Sequence, residues 1–277
     1  MSQSIIADRY DTTTLLRSEI GLSALLPVNF TAKPEFTLNT DLNIFPNETI
    51  TVRPKMRYFG IGIKGCYNVD DGILSAAYNP QRMNMNLYQM VPFRCVPIDE
   101  DLSDAEKASY RLRQRKTING QEYFLYWLKV INYLSDIKFK RVNPTDGSEE
   151  AYELDPSYLH PEPVKPSTDL TLINSQANIV AYCEAKLTIE ASEVLEYIRA
   201  YYQGDTRYAK ISEVGFYTGV DKEVSGLTGQ NVAFTYTEAI YTMLYNHATW
   251  QGTPLSHEPD KIESTYQICS NGAITQK

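Results

Sequence analysis

Apolar and polar positions alternate with the period of a β-strand in several stretches of the chain, most clearly residues 123–130, 178–190 and 208–221. Helical spacing is confined to short segments such as 14–26 and 191–205. Strands and helices do not follow one another in a repeating order, as they do in a doubly wound parallel sheet. We therefore predict a mainly β, α+β fold of antiparallel sheets and hairpins with a few short helices.

One hairpin is predicted from local sequence. Asn119-Gly120 separates two alternating runs, residues 110–118 and 123–130, and both turn residues tolerate the positive φ of a tight two-residue turn. Just before it, Ser103 and Glu106 have the spacing of a capping box, which predicts a short helix.

Three arginines of the first hairpin strand, Arg111, Arg113 and Arg115, alternate with apolar or polar residues and so share one strand face. They could bind a polyanion or an acidic partner, or form a solvated face paired with nearby Asp and Glu. The acidic balance of the whole chain favours the second interpretation.

Proline, glycine and polar clusters divide the chain into five predicted parts. These are an extended arm at 1–45, a β-rich domain at 46–155 that contains the hairpin, a proline-rich connector at 156–168, a second α+β region at 169–249 and a C-terminal tail at 250–277.

The stretch YFGIGIKG, residues 58–65, has the G-x-G-x-x-G spacing of a dinucleotide-binding loop. Such a loop opens a helix, but turn residues follow here, so we expect a strand and no bound cofactor. In that strand Gly60 and Gly62 form a face without side chains, and glycine in a strand marks close approach by another group. We predict an aromatic ring or a neighbouring chain against these two glycines.

Composition narrows the classes of function. The formal net charge of −8 argues against general binding to nucleic acid, which depends on Lys and Arg. No long apolar run or secretion signal is recognised, so we expect a protein made in a cytoplasm and away from membranes. The four cysteines are far apart and are expected to be free thiols. The 21 tyrosines suit half-buried strands, protein interfaces, or both.

No catalytic or metal-binding pattern stands out. The three histidines lack metal-ligand spacing, and no nucleophile elbow occurs. We therefore predict neither enzyme activity nor a bound metal or cofactor. Three hypotheses remain: a structural subunit of an assembly, a hydrolase without a recognisable motif, and a carbohydrate-binding module, which would display rows of exposed aromatic residues.

Three islands of sequence resemble tail and baseplate proteins of large contractile-tailed bacteriophages. They are RYFGIGIKGCYN, LYQMVPFRCVP with DLSDAEKASYRLR, and KISEVGFYTGVD with YTEAIYTMLYN. The resemblance implies a virion protein, most similar to a baseplate-wedge subunit and next to a neck or tail-completion protein. It implies several copies per particle, held to other virion proteins through strands and extended termini.

We select candidate contact residues by their position in the predicted arm, the glycine face of residues 58–65, the hairpin and the tail. They are Tyr10, Leu15, Phe36, Gly60, Gly62, Arg111, Arg113 and Tyr266.

Overall fold

The computed structural model describes residues 9–27, 30, 33–68, 75–143, 145–160, 178–255, 260–270 and 274–276. These residues confirm a mainly β fold with antiparallel strand pairing and short helices. Among them, no helix is both long enough and apolar enough to cross a membrane.

The strands in the described residues are β1 (Tyr10–Thr13), β2 (Lys55–Gly62), β3 (Cys66–Asn68), β4 (Ser75–Ala77), β5 (Met90–Val91), β6 (Arg94–Pro97), β7 (Tyr110–Ile118), β8 (Gln121–Val130), β9 (Asn132–Tyr133), β10 (Lys138–Val142), β11 (Glu149–Tyr152), β12 (Asn178–Glu190), β13 (Lys210–Leu227), β14 (Ala233–Pro254), β15 (Lys261–Cys269) and β16 (Ile274–Gln276). The helices are α1 (Leu15–Leu25), α2 (Leu38–Asp41), α3 (Asp104–Lys107) and α4 (Ala191–Tyr201). Single 3₁₀ turns occupy Pro34–Phe36, Ile98–Glu100, Pro156–Leu159 and Thr206–Tyr208.

The chain forms two compact units, and each is discontinuous in sequence. The first comprises residues 1–131 and 188–263, and the second comprises residues 132–187 and 264–277. The first contains a curled eight-stranded sheet in the order β1-β14-β13-β2-β8-β6, with β5 paired to β2 and β7 paired to β8. The second contains a sheet in the order β11-β10-β12-β15-β16, with β9 paired to β12.

This division differs from the five predicted parts. The predicted second region, 169–249, is not separate from the β-rich domain, because β13 pairs along β2 from Glu213↔Gly62 to Gly219↔Lys55. The predicted tail, 250–277, contributes the end of β14 and the paired strand β15. Within the predicted connector, 156–168, Pro156–Leu159 form a 3₁₀ turn, and residues 161–168 lie outside the described residues.

The predicted hairpin is confirmed. β7 and β8 pair from Tyr110↔Lys129 to Ile118↔Gln121, and Asn119 and Gly120 have φ values of 50° and 86°. The capping box at Ser103 and Glu106 also forms, with both reciprocal hydrogen bonds.

The predicted arm is not an extended, separate element in its described part. Leu16 and Ile20 are buried against Tyr241 and Met243 of β14, because their i, i+4 spacing gives α1 an apolar stripe. Further along, the Asn39 side chain donates to Ala239 O at 2.9 Å and accepts from the Thr242 N–H at 2.9 Å. Helix α1 and Asn39 are therefore packed within the first unit.

The face of β2 at Gly60 and Gly62 is filled by the same chain. A Cβ at Gly60 would lie 3.1 Å from the Tyr217 ring, which agrees with the predicted aromatic contact. At Gly62 the neighbour is instead the Glu213 carboxylate, together with Gln89 O at 2.6 Å. Both glycines are buried, so they are corrected as candidates for contact with another chain.

The Glu213 side chain has no solvent exposure and anchors a long loop to β13. Its two carboxylate oxygens accept from the Tyr88 N–H at 2.9 Å and the Gln89 N–H at 2.8 Å. His247 Nε2 lies 3.1 Å from the same group. A buried carboxylate bonded in this way satisfies donors that would otherwise be unpaired.

Glu238 of β14 is a second buried carboxylate that pairs backbone N–H groups, here at the edge of β7 that does not pair with β8. Its carboxylate accepts from the Leu112 N–H at 2.5 Å and the Arg113 N–H at 2.9 Å. Leu112 has φ of 57°, which turns these two successive N–H groups toward one anion. The curled sheet thus brings β7 close to β14, and the Glu238 side chain connects the two strands.

We expect Gly62→Ala to destabilise the protein by about 3 kcal/mol, because the new methyl group meets a backbone oxygen and a fixed carboxylate. Gly60→Ala should cost less, under about 1.5 kcal/mol, since its closest neighbour is the flexible end of Met90 at 2.5 Å. Urea unfolding of the two variants measures both values. Equal costs, or a larger cost at Gly60, would contradict this packing.

Burial raises the pKa of the Glu238 carboxyl, although three backbone N–H groups and Arg111 act in the opposite sense. A raised folded-state pKa stabilises the fold at low pH, and this contribution is lost as pH rises through that pKa. The free energy of unfolding of the wild type minus that of Glu238→Gln should therefore decrease from about pH 4 to about pH 7.

The matched control is Glu122→Gln at an exposed site, where the hydrogen bond from Arg115 lowers the pKa of the Glu122 carboxyl. Its stability difference should change with pH in the opposite direction. Urea titrations at a series of pH values test both signs, and an increase with pH at Glu238 would refute the assignment.

Candidate protein-contact surface

Helix α1 is held on the first unit by its N-terminal cap and its inner face. The Thr14 hydroxyl accepts from the Arg17 N–H at 3.2 Å and donates to Leu244 O at 2.6 Å, so it caps the helix and ties it to β14. The Leu15 N–H donates to Arg82 O at 3.0 Å. These bonds fix which side of α1 faces outward.

The α1 outer face carries leucines that none of the described residues covers. Leu22 and Leu25 are 57% and 83% exposed, and Leu15 and Leu26 are also exposed. Between them lie the exposed small residues Ser18 and Gly21, and a Cβ at Gly21 would meet no atom within 4 Å. We define the α1 outer face as Leu15, Ser18, Gly21, Leu22, Leu25 and Leu26.

A group of exposed aromatic rings, the tyrosine cluster, consists of Tyr67, Tyr78 and Tyr88. The Tyr67–Tyr78 and Tyr78–Tyr88 ring centroids are 5.0 and 5.2 Å apart, in tilted arrangements. The Tyr88 ring also lies 5.3 Å from the ring of buried His247. The cluster therefore contacts β14 through Tyr88, and its rings are exposed to solvent.

Two contacts connect the tyrosine cluster with β1 and the α1 outer face. Thr249 of β14 pairs with Tyr10 of β1, and its hydroxyl donates to Tyr78 O. Arg82, which accepts from Leu15, also donates through its guanidinium to the Ser18 hydroxyl at 3.4 Å. Its neighbour Met83 is 76% exposed. Exposed Tyr, Met and Leu side chains are thus linked through β1, β14 and Arg82. We define the β1–α1 surface as Tyr10, Tyr67, Tyr78, Met83, Tyr88 and the α1 outer face.

The structure places the predicted contact residues in two environments. Tyr10, Leu15 and Phe36 are exposed, as a contact role requires. Arg111 and Tyr266 are buried, and the side chain of Arg113 is only 7% exposed. They are corrected as contact candidates, because a neighbouring chain cannot reach them in this conformation.

The hairpin arginines are paired within the chain. Arg111 Nε donates to Asp221 at 2.9 Å, and a guanidinium nitrogen of Arg113 donates to Asp101 at 2.9 Å. The guanidinium of Arg113 also lies 3.5 Å from the centre of the Phe124 ring. Arg115 is exposed and pairs with Glu122 at 2.7 Å. The interpretation of arginines paired with nearby acids is therefore correct, although two of the three are buried rather than solvated.

Sequence reasoning missed most of the β1–α1 surface. Leu22 faces outward, whereas Leu16 and Ile20 face β14. A usable signal was the presence of leucines on both sides of an 11-residue helix, since one side must then stay exposed or meet a partner. Nothing local in the sequence brings Tyr67 and Tyr78 beside Tyr88.

A second set of aromatic rings lies at the end of α4. In this tyrosine row, ring centroids are 5.4 Å apart for Tyr197–Tyr201, 4.9 Å for Tyr201–Tyr202 and 4.1 Å for the stacked Tyr202–Tyr208 pair. Tyr201 and Tyr208 are 47% and 48% exposed. Burial raises the pKa of the Tyr197 hydroxyl, so the inner end of the row stays neutral.

The second unit has a concave feature of its own. An open groove of about 350 Å³ lies beside the edge strand β11, lined chiefly by Phe139, Tyr152, Leu154 and Tyr182, with Lys138 and Glu153 at its rim. Edge strands with free backbone groups can pair with another chain.

The described residues contain no group of three or more His, Cys, Asp or Glu side chains placed to hold a metal ion. The His247–Glu213 pair is fully buried, so a substrate cannot reach it in this conformation.

These features define a mainly β protein of two compact units, of which the larger carries an exposed apolar surface around an edge strand. The chain belongs to DUF7208, a family of unknown function, whose model matches residues 1–276. No curated protein and no solved structure matches it.

Proposed function

We propose that this protein is a structural subunit of a phage virion that binds neighbouring subunits through the β1–α1 surface. A baseplate-wedge position in the tail is the first choice, and a neck or tail-completion position is the alternative. The three islands of resemblance support the virion assignment. The observation that carries the binding role is the uncovered leucine side of α1 beside exposed tyrosines and a methionine.

The composition of this surface supports a protein partner. Tyr and Met are enriched in protein interfaces, whereas Lys and Glu are depleted there. Contiguous exposed apolar patches on folded proteins mark interaction sites. β1 adds an edge strand, since its described ladder pairing is with β14 alone.

The folded state of the N-terminal region changes the mechanism expected from the sequence. Instead of a free arm that clamps a neighbour, β1 and α1 present a face that is already folded onto β14. Less conformational entropy is then lost on binding than when a disordered segment must fold.

A carbohydrate-binding role is the second candidate, and the tyrosine row supports it. The row matches the exposed aromatic residues expected of such a module, and flat rings can stack on the C–H faces of sugars. A glycan array that yields no binder would remove this candidate.

We expect the double substitution Leu22→Gln and Leu25→Gln to leave the fold intact and to reduce incorporation into particles at least about tenfold. Both side chains are exposed, so the free energy of unfolding should change by less than about 1 kcal/mol. Deletion of residues 1–40 would not be informative, because it removes buried Leu16, Ile20 and Asn39. The measurement is the amount of variant protein in purified particles.

The matched control is Leu159→Gln with Leu227→Gln, two leucines of similar exposure that belong neither to the α1 outer face nor to the lining of the groove beside β11. Control particles should contain normal amounts of the protein. Normal incorporation of the Leu22/Leu25 variant would refute the proposed role of this surface.

A further inference from the structure

The α1 outer face is flanked by arginines contributed from outside the helix. Arg82 reaches Ser18, in the first half of α1, with a guanidinium-to-hydroxyl distance of 3.4 Å. Arg53 donates to Ala24 O and Leu26 O at the other end, each at 3.4 Å. Both arginines are exposed and lack an ion-pair partner within the described residues.

The spacing of these charges follows from helix geometry. Eight residues separate Ser18 from Leu26, so at 1.5 Å per residue the two guanidinium groups lie roughly 12 Å apart along α1. Leu22 and Leu25 lie between Ser18 and Leu26 in the sequence. The local excess of positive charge contrasts with the net charge of −8 of the whole chain.

The small residues of this face determine what can approach it. Ser18 and Gly21 leave open space between Leu15, Leu22 and Leu25, and ridges of side chains on a second helix pack into such gaps. The leucines would then contact an apolar stripe of the partner, and its carboxylates would meet the arginines. Arginine binds carboxylate through two parallel hydrogen bonds, which adds orientation to the contact.

We propose that the α1 outer face binds an amphipathic helix of another virion protein, with an apolar stripe and acidic residues about two turns apart. The positive charges of Arg53 and Arg82, and their spacing around the leucines, are the reason for expecting a partner with this chemistry. This inference rests on the proposed function and adds the chemical nature of the partner.

The test uses the full-length protein and two synthetic helical peptides of about four turns. Both peptides carry leucines at i, i+3 and i+7, flanked by two glutamates in one and by two lysines in the other. Fluorescence anisotropy measures Kd for each. The glutamate peptide should bind the wild type at least about tenfold more tightly than the lysine peptide.

Charge reversal provides the matched control. The variant Arg53→Glu with Arg82→Glu should lose the preference for the glutamate peptide and prefer the lysine peptide, and Leu22→Gln with Leu25→Gln should weaken binding of both. The Arg53 and Arg82 side chains are exposed, so circular dichroism spectra and thermal midpoints should remain close to the wild type.

Three results would overturn the proposal. Equal binding of the two peptides would show that charge does not select the partner. Cosedimentation with anionic phosphatidylserine vesicles, lost in the Leu22/Leu25 variant, would identify a lipid surface instead. Self-association in sedimentation velocity that depends on Leu22 and Leu25 would identify a second copy of the chain as the occupant.

The outcomes also separate this inference from the proposed function. If Leu22→Gln with Leu25→Gln blocks incorporation but the peptides show no charge preference, the surface role stands and the partner chemistry is wrong. If the charge preference is found but incorporation is normal, the virion role of the surface fails.

Discussion

The carboxylate of Glu238 is the contact on which the arrangement of the larger unit depends most. It is fully buried and bonds two successive N–H groups of β7, at Leu112 and Arg113. Those donors would otherwise lie unpaired inside the protein, where each costs about 1–3 kcal/mol. Because Glu238 belongs to β14, one side chain joins the two ends of a curled sheet that the strand ladder does not close.

The β1–α1 surface depends on the same part of β14. Three residues beyond Glu238, Tyr241 has φ of 57°, and Asn39 bonds the backbone on both sides of it. This irregularity presents Tyr241 and Met243 to α1, where they bury Leu16 and Ile20. The leucines on the opposite side of α1 consequently face outward. The buried Glu238 carboxylate and the residues that position α1 therefore lie within a few residues of one another in β14.

Local features of the fold were predictable from sequence. The Asn119-Gly120 hairpin and the Ser103–Glu106 capping box each depend on residues close together in the chain. The organisation of the two units was not predictable from sequence, because β13 pairs with β2 across about 150 residues and no local signal specifies this pairing. In the sequence Glu213 and Glu238 resemble ordinary solvated carboxylates. Their N–H partners are far away in the chain and are identified only in the folded structure. Of the β1–α1 surface, only Tyr10 and Leu15 were named from sequence, because the outward side of α1 depends on where β14 lies.

Native-state hydrogen exchange at Leu112 and Arg113 tests the account of Glu238 most directly. In the wild type both amides should exchange as slowly as the ladder amides of β8. In Glu238→Ala they should exchange at least about 100-fold faster, while the amides of Phe124 and Tyr126 change much less. Fast exchange of Leu112 and Arg113 in the wild type, or no change on substitution, would contradict the account.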